Sequence, residues 1–340
     1  MFHDNLLYIS QLIMSSETVE DRIAAIEELS LFYIKIANSE NYFFPEDNDI
    51  LTSGGIALSS LHASDCIDDH LRTALLLKGV YKAITQFLDK HPDRTMKIVY
   101  AGCGPYATLL LPVLPLLNKD RVEAIILDIN KESIESVKRF ITLFDLEGYR
   151  LDFVVADATT YTKPDTVDID MVISETMHYA LTSEPQVAIM QNLIPQMRPE
   201  AIFIPQAIHI YMGYSFFAKE PFLTSTSRAG QTITEPYPYR NQIDRLFSVN
   251  KELILNYLRN GKQIETRFYS IPDTIENCPD ICLFTELTIF DDITLKTAES
   301  YITNPYCIAS LYNLKGSSEF QLTYDFSGLP KWSINLKNRQ

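Results

Sequence analysis

Apolar residues along this 340-residue chain fall into three successive patterns, each predicting a different kind of packing. From Thr18 to about Ser39, Ile23, Ile26, Leu29, Phe32 and Ile34 recur at helical spacing, and a second helical pattern runs from about Asp65 to Asp89. Between them Ser53-Gly54-Gly55 predicts a tight turn, because glycine reaches turn conformations without steric cost. Residues 1–95 are therefore expected to form an N-terminal helical cap.

At Met96 helical spacing gives way to short unbroken apolar runs: Lys97-Ile98-Val99-Tyr100, Ala124-Ile125-Ile126-Leu127, Phe153-Val154-Val155 and Met171-Val172-Ile173. Parallel strands read this way because crossover helices bury both faces of their sheet. Tyr106 to Leu117, Lys131 to Phe144 and Pro185 to Met197 are the expected crossovers, the first kinked or shortened by Pro112 and Pro115. Residues 96–205 thus read as a Rossmann-like, doubly wound α/β domain. After Pro205, alternating segments (Ile208 to Tyr214, Ile264 to Ser270, Cys282 to Phe290, Glu319 to Phe326) surround a predicted helix over Gln242 to Arg259. Residues 206–340 are expected to form a mostly antiparallel, barrel-like β domain with a helical insert.

Composition narrows the chemistry. An apolar content of 46% over this length buries a sizeable core. The formal charge of -15 repels a phosphate backbone, so no nucleic-acid partner is expected; a cationic partner fits better, although the same charge also serves solubility. The five cysteines (Cys66, Cys103, Cys278, Cys282, Cys307) form no CxxC pair, predict neither a metal site nor a disulfide framework, and read as reduced thiols. Met1-Phe2-His3-Asp4 lacks the basic segment and apolar stretch of a signal peptide, and no run of about 18 apolar residues occurs, so a cytoplasmic chain with no membrane partner is expected.

Candidate ligand contacts cluster after the predicted strands. Strand Lys97 to Tyr100 runs into Ala101-Gly102-Cys103-Gly104-Pro105-Tyr106, where Gly102 and Gly104 let the backbone turn sharply and approach a ligand. Asp128 ends the next strand, at about the separation where an acidic residue accepts ribose hydroxyl hydrogen bonds. Asp157 follows the third strand, placed to accept from an adenine amino group or simply to cap a turn. Tyr106 stands where a dinucleotide fingerprint needs its third glycine, which disfavours a diphosphate and suits a phosphate-free cofactor such as S-adenosylmethionine. Strand, GCG loop, acidic end of the second strand and the Asp157-Ala158 pair together resemble the class I methyltransferases.

The fourth strand delivers Ser174-Glu175-Thr176-Met177-His178-Tyr179-Ala180-Leu181-Thr182-Ser183-Glu184. This resembles the double-glutamate loop of protein arginine methyltransferases, SExMGYxLxxE, through Ser174, Glu175, Met177, Tyr179, Leu181 and Glu184. The resemblance implies that Glu175 and Glu184 grip a guanidinium through charge-assisted hydrogen bonds and present one nitrogen to the sulfonium methyl group. The plainer alternative is that Glu184 caps the helix after Pro185 while Glu175 orders the loop. Upstream, Asp69-His70-Leu71-Arg72-Thr73 is similar to the family's DxxRT segment, which implies that Arg72 binds the cofactor carboxylate. Downstream, Met197 to Tyr211 looks like the family's passage into its β-barrel domain, and the insert over Gln242 to Arg259 sits where the family carries a dimerisation arm, which is compatible with a homodimer.

Three departures bear on the substrate. His178 replaces the loop glycine, Thr176 replaces its usual tryptophan, and no threonine-histidine-tryptophan motif occurs, the only tryptophan being Trp332 after a lysine. The acceptor is therefore left open among a guanidino- or amino-containing protein, peptide or small molecule. Rival expectations are a small-molecule O- or N-methyltransferase on the same scaffold and a noncatalytic partner subunit that retains the fold.

Overall fold

The computed structural model describes residues 2–40, 44, 48–224, 235–272 and 276–338. Helices α1 (Phe2–Ser15) and α2 (Val19–Ser39) open the chain. Thr18 Oγ1 accepts from the Asp21 amide while the Asp21 carboxylate accepts from the Thr18 amide, a reciprocal cap that satisfies donors the first turn leaves unpaired. A short hairpin, β1 (Ile50–Thr52) and β2 (Gly55–Ala57), leads through helix α3 (Ser60–Ser64) into the long helix α4 (His70–Lys90).

Strands β3 (Met96–Ala101), β4 (Val122–Asp128), β5 (Arg150–Val155), β6 (Ile169–Ile173) and β7 (Met197–Ile204) form one parallel sheet in the order β5-β4-β3-β6-β7. The chain builds outward from β3 in one direction and then resumes at β6 in the other, so a crevice opens at the strand ends where the order reverses. Central β6 is buried throughout, whereas β5 lies at the sheet edge and is only partly buried, with Val155 exposed, although its apolar run reads like that of a strand covered on both faces. Helices α5 (Lys131–Leu143) and α6 (Gln186–Leu193) supply two of the predicted crossovers.

The third predicted crossover is corrected. Residues 104–113 form successive turns followed by a short 3₁₀ segment, Leu114–Leu116, instead of an α-helix. Pro112 and Pro115 lack the amides a helix needs, and Ala107 adopts a left-handed φ of 41°, which breaks the run near its start. Tyr106 points into the core, 7% exposed, with its ring stacked 4.7 Å from Tyr33 of α2 and edge-on to Phe140 of α5. Its bulk therefore joins the cap to the sheet.

Among the described residues that follow are β8 (Ala207–Ser215), β9 (Asn241–Asn250), α7 (Lys251–Leu253), β10 (Gln263–Ser270), β11 (Asp280–Phe290), β12 (Ile293–Leu295), β13 (Tyr306–Ser310), β14 (Ser317–Asp325) and β15 (Lys331–Asn338). They form two antiparallel sheets among the described residues, β12-β11-β8-β9 with β13 also on β11, and β10-β14-β15, with no single closed barrel. The helix expected over Gln242 to Arg259 is a strand in its first half: β9 pairs with β8, burying Phe247 and Val249 on one face. Only α7 and the following Ile254–Leu258 turn are helical. That turn packs back on α6, where the Gln191 side-chain amide donates to Gly261 O at 2.9 Å, so this segment is not a projecting helical arm. Helix α4 seals the junction between regions, with Gly79 so close to β11 that a Cβ there would lie 2.4 Å from Ile289 Cγ2.

Candidate active site

The ends of the parallel strands empty into one cavity of about 550 Å³. All eight residues singled out in the sequence line it: Arg72, Gly102, Gly104, Asp128, Asp157, Ala158, Glu175 and Glu184. The opposite side comes from hairpin β1–β2, α3, and segments around Phe222 and Tyr301, which carried no sequence signal.

The glycine-turn end is built from backbone geometry. Gly102 and Gly104 adopt left-handed φ values of 69° and 62°, which disfavour a side chain at both, and at Gly102 a Cβ would also lie 2.5 Å from Thr176 Cγ2. The turn is pinned by the Gly102 amide to Leu127 O (2.9 Å) and by the Gly104 amide to Asp128 Oδ2 (2.9 Å). Asp128 Oδ1 accepts from the Asn130 amide at 2.8 Å. Oδ2 also accepts from Cys103 Sγ at 3.9 Å, burial raises the Asp128 pKa against the lowering effect of these donors, and Oδ1 retains acceptor capacity. Asp157 Oδ1 accepts from the Thr159 amide at 2.8 Å, so this residue caps a turn and lines the cavity at once.

At the other end, Arg72 and Glu175 form a close ion pair, both nearly buried. Arg72 Nη1 also donates to Cys66 O at 2.9 Å, while its buried Nε has no hydrogen-bond partner among the described residues. Glu175 Oε1 accepts from the Met177 amide at 3.2 Å. Glu184 sits one residue before Pro185, the N-cap of helix α6, a position where a carboxylate also favours the helix N-terminus. Burial pushes its pKa up to about 7, with Asp49 adding to the rise and Arg72 opposing it.

The loop between the two glutamates owes its shape to distant residues. Ala180, Leu181 and Ser183 adopt left-handed φ values of 53°, 57° and 66°, which side-chain-bearing residues hold only when surroundings enforce them. Trp332 Nε1 donates to Ala180 O at 2.8 Å, Tyr324 Oη to Leu181 O at 2.8 Å, and the Ala180 amide donates to Thr285 Oγ1 at 3.1 Å. The Ile56 amide reaches Ser183 O at 2.8 Å, and the Ser183 amide reaches Pro330 O at 2.9 Å. Gln186 fixes the other flank, accepting from the Thr176 amide and donating to Ser174 O. Trp332 was noted in the sequence only for not belonging to a motif; its partner, a bare carbonyl, leaves no trace in sequence.

His178 stays within this loop. Thr182 Oγ1 donates to Tyr179 O at 2.9 Å, so at 3.0 Å it must accept from His178 Nδ1, which places a proton on that nitrogen. Burial lowers the His178 pKa, which favours the neutral ring. Tyr179 then faces Phe222 and Tyr306, with ring centroids 6.0 and 5.9 Å away, forming an aromatic side to the glutamate end.

Comparison with solved structures places this architecture. The PRMT1 enzyme–prozyme heterotetrameric complex of Trypanosoma brucei with AdoHcy is similar at 12% identity and a TM-score of 0.52, covering 81% of this chain and 92% of that one. Protein arginine methyltransferase 10 of Arabidopsis thaliana, in an open conformation, is similar at 10% identity and a TM-score of 0.52, covering 81% and 97%. The fold is that of the protein arginine methyltransferases. No family model and no curated protein sequence matches the chain, so this methyltransferase-like fold is carried by geometry. Among the described residues no helix is long and apolar enough to cross a membrane.

Proposed function

We propose that the chain is an S-adenosylmethionine-dependent methyltransferase that N-methylates a guanidinium or related cationic nitrogen. The observation that carries this reading is the convergence, in one cavity, of a two-glycine turn and Asp128 at one end with Arg72, Glu175 and Glu184 at the other. The residues fit the cofactor: the turn admits a close ligand, Asp128 keeps acceptor capacity for ribose hydroxyls, Asp157 and Ala158 lie where adenine would, and the unpartnered Arg72 Nε suits a carboxylate. When bound, S-adenosylmethionine supplies an electrophilic sulfonium methyl group.

The protein's contribution is positioning and charge. Ionised Glu184 beside the Arg72–Glu175 pair adds negative charge at this end of the cavity, which suits a cationic acceptor. Glu184, poised near neutrality, binds the cation when ionised and is basic enough to receive a proton from the methylated nitrogen. Two carboxylates flanking a planar cation fix its orientation, and fixed orientation is worth several orders of magnitude in such transfers.

The Arg72–Glu175 pair also supports a second reading, a small-molecule O- or N-methyltransferase in which Glu175 serves only to orient Arg72. A set of S-adenosylmethionine calorimetry and methyl-transfer assays on wild type, Glu175→Gln and Glu184→Gln tests both. Loss of transfer in both variants, with cofactor binding retained in Glu184→Gln, supports the first; loss in neither, or at one position alone, favours the second. Absence of cofactor binding by the wild type would leave the fold serving as a noncatalytic partner subunit.

A further inference from the structure

Cys282 and Cys307 carried no pairing signal in the sequence, yet the fold sets them directly opposite each other on β11 and β13. Directly opposed residues of antiparallel strands project to the same face with neighbouring Cβ atoms, close to the spacing a disulfide needs. On the other side of Cys282 the opposing residue is Gly213 of β8, so Cys307 is its cross-strand side-chain neighbour. A register shift between Ile281 and Cys282 ends at this pair, which therefore closes the regular stretch running on to Leu283 and Tyr306. Cys282 is fully buried and Cys307 half-buried, so one thiol is open to a small oxidant and the other is shielded behind it.

We infer that Cys282 and Cys307 form an oxidant-sensitive thiol pair that a peroxide converts into an intrachain disulfide. The Cys307 thiolate attacks a peroxide oxygen; an S–O bond forms, the O–O bond breaks and hydroxide leaves. Cys282 then attacks the resulting sulfenic acid, forming the S–S bond and releasing water. Two thiols and one hydrogen peroxide give one disulfide and two waters, the peroxide taking up two electrons. A hydrogen bond from Cys282 holds the Cys307 thiol below its ordinary pKa, and the same bond together with burial raises that of Cys282, which suits Cys307 to the first step.

The strands that carry the pair also touch the cavity-lining loop. Tyr306 precedes Cys307 and faces Tyr179, while Thr285, three residues after Cys282, holds the Ala180 amide. A covalent bond between the strands would fix two supports of the glutamate loop to each other. This inference does not depend on the proposed activity.

The test treats the full chain with hydrogen peroxide under denaturant-free conditions, blocks remaining thiols, and measures intact mass and peptides without reductant. Trypsin separates the two cysteines at Lys296, and fragmentation distinguishes Cys282 from Cys278. The expected result is loss of two hydrogens, a Cys282–Cys307 cross-linked peptide, and full reversal by a dithiol reductant. In Cys282→Ala, the cross-link should vanish and Cys307 should become trappable by a sulfenic-acid reagent. Two free thiols at these positions after oxidation of the other cysteines, or a bond from either to Cys278 or to a second chain, would overturn the inference. The wild-type peptide map decides the matter even if the alanine variant fails to fold.

Discussion

The two ends of the cavity are held in contrasting ways. At the glycine turn, each constraint comes from the adjoining strand: Gly102 bonds to Leu127, and Gly104 to Asp128. At the glutamate loop, constraints come from Thr285, Tyr324, Pro330, Trp332 and Ile56, all remote in sequence. The first end is a property of a strand–turn unit; the second exists only when the antiparallel sheets are in place. Local geometry can therefore be inherited with a motif, whereas the loop's strained φ angles require a complete tertiary frame.

This contrast can be broken or sharpened by experiment. The largest effect is expected from Glu184→Gln, which should lower methyl transfer on the order of 10²-fold or more, the scale of removing one preorganised charged contact, with S-adenosylmethionine affinity nearly unchanged by calorimetry. Equal loss of cofactor binding would mean that the two ends are not separable. Asp128→Ala should act at the local end, weakening cofactor binding by about 1 to 3 kcal/mol, and should also lower the thermal transition because the Gly104 and Asn130 amides lose their acceptor. Unchanged affinity would remove Asp128 from cofactor contact.

Trp332→Phe keeps the ring but removes the donor to Ala180 O, and should cost about 1 to 2 kcal/mol in unfolding free energy, measured by denaturant titration. Transfer should fall while cofactor affinity holds; the reverse pattern would show the glycine turn, not the loop, to depend on the distant sheets. The smallest effect concerns pH. Because the Glu184 pKa is raised from 4.5 to about 7, the folded chain retains a proton that the unfolded chain releases, so the Glu184 contribution to stability declines as pH rises across that window. Binding of a cationic acceptor runs the opposite way: kcat/KM should climb with pH toward about 7 and then level, and Glu184→Gln should abolish that rise. An identical profile in the variant would assign the titration elsewhere.

Legibility in sequence follows the same division. The central strands were readable because burial on both faces demands uninterrupted apolar runs, and the glycine turn because few residues tolerate its φ angles. Residues 104–117 misled because leucines spaced for a helix also pack as successive turns when prolines remove the amides. The strand Asn241–Asn250 misled because only its second half alternates, too short a stretch to outweigh a helical reading. Glu175 and Glu184 were legible as a motif, yet the Arg72 pairing and the frame around the loop were not, since hydrogen bonds to backbone carbonyls ask nothing of the accepting residue's identity.

The indole of Trp332 sets a timetable as well as a shape. A chain emerging during synthesis can complete its parallel sheet once Ile204 is free, but the loop carbonyls near Ala180 must wait for the last strand before their donors arrive. A nascent or C-terminally clipped chain would hold the glycine turn without a finished glutamate loop.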